Sequence, residues 1–141
     1  MKKKVILSIS IVLLLALVCV IGFLSIGRAA GNMTFNIGKA SKINIKSGLT
    51  GDEGNIVDAE KIQQITEDIN ALRFEKTSKV NGKVGYVYML TWFDKEGNQV
   101  ERITITDANG YQISHDGYYY KVGADLCIDI TLINELLNSA Q

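Results

Sequence analysis

The chain has 141 residues, enough for one domain of ordinary size, and its formal charge of zero hides a split. Lys2, Lys3, Lys4 and Arg28 stand in the first 30 residues, so the rest carries 11 of the 15 basic side chains against all 15 acidic ones, near −4. A mildly acidic remainder with dispersed lysines disfavours nucleic acid, whose phosphates need clustered positive charge, and the absence of proline excludes a Pro-rich stalk.

Residues 1–30 read as a leader. Val5 to Ile26 is an uncharged run of 22 residues; as a helix rising 1.5 Å per residue it would be about 33 Å long, against a hydrocarbon core of about 30 Å. Three lysines before it and only Arg28 close behind place the N-terminus in the cytoplasm and residues 31–141 outside. A retained signal anchor, with a transmembrane helix at about 5–26, is the leading reading, because the run exceeds the core of a cleaved signal peptide. Cleavage after Ala29 or Ala30 would release the domain. Lipidation at Cys19 is a third route, with Val18 where a lipobox expects a small residue.

The domain, 31–141, opens on a short polar tether or first strand, Gly31 to Lys42. Ile43 and Ile45 alternate with polar residues as a half-buried strand, and Ser47 to Asn55 reads as a turn-rich loop. Asp58 predicts a helix N-cap, with Val57 stapled to Ile62 and an apolar stripe of Ile62, Ile65, Ile69 and Leu72. Arg73 to Lys79 reads as extended, with Asn81-Gly82 predicting a tight hairpin into Lys83 to Phe93. This last strand is apolar on both faces and so central. DKEGN (94–98) and DANG (107–110) mark turns around a strand at 99–106. Tyr111 to Ser114 and Tyr118 to Val122 form a hairpin through His115, Asp116 and Gly117. Asp129 caps a final helix striped by Leu132, Ile133, Leu136 and Leu137. The sum is an α+β fold, an antiparallel sheet of about five or six strands with two helices on one face.

The loop Gly48 to Gly51, Trp92 to Gly97 (WFDKEG), Tyr118 to Lys121 (YYYK) and a terminal helix ending in Glu135-Leu136-Leu137 together resemble small membrane-anchored or lipoprotein-like extracytoplasmic domains of Gram-positive bacteria. The resemblance covers nearly all of the chain. It implies an extracytoplasmic α+β module, and its motifs are turn and core signatures that carry no activity.

Functional signals are sparse. Asp94, Glu96 and Asn98, like Asp52, Glu53 and Asn55, have a faint likeness to half a calcium loop but lack its remaining ligands, so no metal is assigned and no cofactor motif is present. His115, the single histidine, stands beside Asp116 without an elbow or triad motif. Cys127, in an apolar stretch, reads as a buried thiol. Tyr86, Tyr88 and Trp92 share one strand face and Tyr118 and Tyr120 another. They form either an exposed aromatic platform for a peptide or glycan or the core itself. These features predict a non-catalytic binding, sensing or assembly module, held at the membrane by the N-terminal helix, with an envelope protein, peptide or glycan as partner. The competing expectation is a cell-envelope hydrolase, or an inhibitor of one, with its site near His115 and Asp116.

Overall fold

The computed structural model describes residues 31–123 and 126–140. The expected membrane span, Cys19, and the cleavage positions Ala29 and Ala30 lie outside the described residues. Among those described, no helix is long and apolar enough to cross a membrane.

The fold is α+β. In chain order it comprises β1 (Asn32–Met33), β2 (Lys42–Ser47), β3 (Glu53–Ile56), α1 (Ala59–Ala71), β4 (Phe74–Lys79), β5 (Tyr88–Phe93), β6 (Gln99–Ile105), β7 (Gln112–His115), β8 (Tyr118–Val122) and α2 (Ile130–Ser139). The strands form one sheet in the order β1-β4-β8-β7-β6-β5-β2-β3. Each registered pair from β4 to β3 is antiparallel. The sheet therefore has eight strands where the sequence predicts five or six. One of the additional strands is β3, whose residues Glu-Gly-Asn read as loop. It forms because Ile56 pairs with Ile43, and because Gly54 leaves the space that Leu137 of α2 and Ala140, the residue after that helix, fill.

Both helices begin where the sequence places them. Asp58 Oδ1 accepts from the amides of Glu60 and Lys61 at 3.0 Å, and Asp129 Oδ1 accepts from Leu132 at 2.9 Å, satisfying otherwise unpaired first-turn donors. Ile62, Ile65 and Ile69 of α1 and Ile133, Leu136 and Leu137 of α2 are buried. The staple expected at Val57 is not formed, since that side chain is 71 % exposed, whereas Ile128 and Ile133 at the start of α2 are both buried.

The Asn81-Gly82 hairpin is also corrected. Gly82 does adopt a positive φ of 86°, yet β4 pairs with β8 and β5 lies between β6 and β2. Residues 80–87 are a crossover, and Val84 and Tyr86 belong to it, so the central strand starts only at Tyr88. Tertiary demand overrides the local turn signal. β5 needs partners on both sides, while β4 buries only Phe74 and suits a position near the sheet margin.

The segment predicted as a polar tether or first strand supplies β1 at its start and then runs as a strap across the core. Phe35 and Ile37 are both 6 % exposed, and Met33 and Ala40 pack against the same cluster. Asn70 of α1 treats Ile37 as a strand partner would. Its Oδ1 accepts from the Ile37 amide at 2.9 Å and its Nδ2 donates to the Ile37 carbonyl at 3.1 Å. Asn70→Ala leaves both backbone groups without this partner, and a loss of about 1–3 kcal/mol is expected in urea denaturation.

Candidate functional site

Register and alternation place Tyr88, Leu90, Trp92, Ile103, Ile105, Ile113 and Tyr120 on the sheet face that packs against the helices. Tyr88 pairs with Ile105, Ile105 with Ile113 and Ile113 with Tyr120, so the two tyrosines end one row across four strands. The exposed aromatic platform is thereby corrected. Trp92 is fully buried, and Tyr88 and Tyr120 are buried at 6 % and 8 % exposure, because this is the face the helices cover. Trp92 Nε1 donates to Thr66 Oγ1 of α1 at 3.0 Å, and Tyr88 OH donates to Asn134 Oδ1 of α2 at 3.2 Å. Tyr86 and Tyr118 are half-buried. Tyr86 lies against the Gly48 turn, where a Cβ would strike its carbonyl oxygen, and the Tyr118 ring lies 3.2 Å from Lys76 Nζ. Trp92→Ala should therefore destabilise the fold by about 3–5 kcal/mol in equilibrium unfolding, as removal of a core aromatic does.

The opposite sheet face is polar and carries an open cleft. β6 pairs with β7 only at Thr104 and Ile105, so Gln99 to Ile103 run on past the end of the β7–β8 hairpin. The notch left there, about 340 Å³, is walled by Val80 and Val84 of the crossover. Gln99, Arg102, Thr104 and Ser114 line it with donors and acceptors. Arg102 is held by a bond of 2.9 Å from its guanidinium to Gln99 Oε1, and its amide donates to Glu101 Oε1 at 2.8 Å.

His115 and Asp116 stand at the rim of this cleft. The predicted hairpin through them forms, with φ of 46° at Asp116 and 79° at Gly117, a two-residue turn of the type Asp-Gly supports. His115 Nε2 lies 3.4 Å from Asp116 Oδ2 and Nδ1 lies 4.0 Å from Glu101 Oε1, while its ring meets Phe35 edge-on at 5.2 Å. Ser114, adjacent in the strand, points to the other face, so the two side chains do not form a nucleophile–base pair.

A second depression, apolar and about 250 Å³, lies between the helices and is lined by Ile65, Leu72, Leu126 and Leu132. Cys127 lies on it and is exposed, which corrects the buried thiol. The neighbouring Ile128 takes the inward position of that segment, and its amide donates to the Gly110 carbonyl at 3.0 Å.

Among the described residues no group of three or more His, Cys, Asp or Glu side chains is arranged to hold a metal ion. The Asp94 loop uses its own oxygens. Asp94 Oδ1 accepts from the Asn98 amide at 2.8 Å and Oδ2 from Asn98 Nδ2 at 3.0 Å, with Gly97 at φ 85°. The Asn98 side-chain bond, ahead of weaker backbone bonds, holds the Asp94 carboxyl below its ordinary value of 3.8. A lowered folded-state value means that this turn contributes stability above that ordinary value and loses it as pH falls through the folded value. An NMR titration should place the Asp94 midpoint below 3.8, and Asn98→Ala should move it upward.

No known family, curated protein or solved structure matches the chain.

Proposed function

We propose that this protein is a non-catalytic extracytoplasmic binding module, anchored at the membrane by its N-terminal apolar run, that takes an extended polar ligand in the β6–β7 cleft. The observation that carries this reading is the cleft itself, a notch on the polar sheet face where Gln99, Arg102, Thr104 and Ser114 present hydrogen-bonding groups beside Val80 and Val84. Such a mixture suits a glycan strand or a peptide backbone, which offers hydroxyl or amide groups along a partly apolar chain. Anchoring is supported by the 22-residue uncharged run between Lys4 and Gly27. The competing hydrolase reading draws on His115 between Glu101 and Asp116 at the same cleft, but the orientation of Ser114 on the opposite face weighs against it.

The test is co-sedimentation of the detergent-solubilised full chain with cell-wall glycan sacculi and, separately, binding to extended peptides. Arg102→Ala should weaken binding by about tenfold or more, the scale of a lost charged hydrogen bond, with the circular dichroism spectrum unchanged. Unaltered binding in this variant and in Ser114→Trp, which fills the cleft, would remove the cleft from the account. Turnover of either ligand that disappears in His115→Ala would favour the hydrolase.

A further inference from the structure

Charge is unevenly placed in the domain. Between Arg73 and Lys83 there are four basic residues, Arg73, Lys76, Lys79 and Lys83, against Glu75 alone, although residues 31–141 carry only 11 basic residues against 15 acidic ones. The fold turns much of this stretch into one margin of the sheet. Glu75 to Lys79 of β4 are all exposed, and Lys121 of β8, also exposed, pairs with Glu75. β4 lies second from the edge, behind a β1 of two residues that is too short to cover a strand of six.

This margin is also where the chain enters the domain. Met33 packs on the core, and Phe35 meets Phe74, the first residue of β4, edge-on at 5.2 Å. The covalent link from this point to the apolar run is short, since the seven residue steps from Ile26 to Met33 reach at most about 25 Å when fully extended.

We propose that the basic β4 margin docks on an anionic phospholipid surface, the outer leaflet of the membrane that the leader spans; this rests on the anchoring reading above. The short connection limits how far the margin can lie from the bilayer, and basic side chains that come within a screening distance of about 8 Å of anionic headgroups are attracted to them. Lysines on an exposed strand also serve to prevent edge-to-edge pairing between copies. The two roles separate on charge reversal, because glutamate blunts an edge as lysine does but is repelled by an anionic bilayer.

The experiment uses the full chain in vesicles of phosphatidylcholine, with or without phosphatidylglycerol, and follows the rate at which each lysine reacts with a neutral amine-specific reagent by mass spectrometry. Lys76 and Lys79 should react about threefold or more slowly when phosphatidylglycerol is present, an effect erased by high salt, while the exposed Lys61 and Lys95 keep their rates. In Lys76→Glu/Lys79→Glu, Lys121 should lose any protection. Equal rates for Lys76 and Lys79 in the two lipids, in a chain that still floats with the vesicles after carbonate treatment, would overturn the docking and leave the anchor standing. A chain that carbonate releases from the vesicles would overturn the anchor and the docking with it.

Discussion

The buried indole of Trp92 sets the geometry on which the rest of the structure depends. A fully enclosed N–H must find an acceptor or cost about 1–3 kcal/mol, and here the acceptor is Thr66 Oγ1, a helix hydroxyl that itself donates to the Ile62 carbonyl at 2.6 Å. That bond fixes where α1 crosses β5, and the crossing delivers Ile62, Ile65 and Ile69 to the sheet. It also brings Asn70 within reach of Ile37, and so draws the strap, with Phe35, onto Phe74 and His115. Among the described residues no buried side-chain nitrogen or oxygen is left without a partner.

Covering one face of a sheet leaves the other to solvent, and the cleft follows from that asymmetry. Arg102, Thr104 and Ser114 are excluded from the core by alternation, since their neighbours Ile103, Ile105 and Ile113 are inside. Alternation alone makes a flat polar surface. The concavity comes from the mismatch between a seven-residue β6 and a four-residue β7, and from the crossover that carries Val80 and Val84 over the gap. That crossover exists because β4 is sent to the β8 side of the sheet instead of folding back on β5.

Much of the local structure is legible in the order of residues, and less of the site. Asp58 and Asp129 cap their helices, Asp116-Gly117 turns its hairpin, and Tyr88, Trp92, Tyr118 and Tyr120 fall on one face as their spacing requires. Period does not say which face is covered, and that choice converts a candidate aromatic platform into core. Asn81-Gly82 shows the same limit. The dipeptide takes a turn conformation at Gly82, but which strands it joins is decided by the need of β5 for two neighbours. β3 is invisible in advance because Glu53, Gly54 and Asn55 have poor strand propensity and pair only once Ile43 and Leu137 are in place.

Sequence by itself determined the helix starts, the turns at 94–98, 107–110 and 115–117, the α+β class and the alternation of the strands, because caps, positive-φ glycines and side-chain period act over a few residues. Tertiary structure alone decided the strand order, the covered face, the role of the 34–41 strap and the existence of the β6–β7 cleft. Each of these depends on contacts between residues distant in the chain, such as Ile37 with Asn70 and Trp92 with Thr66, whose partners no local pattern specifies.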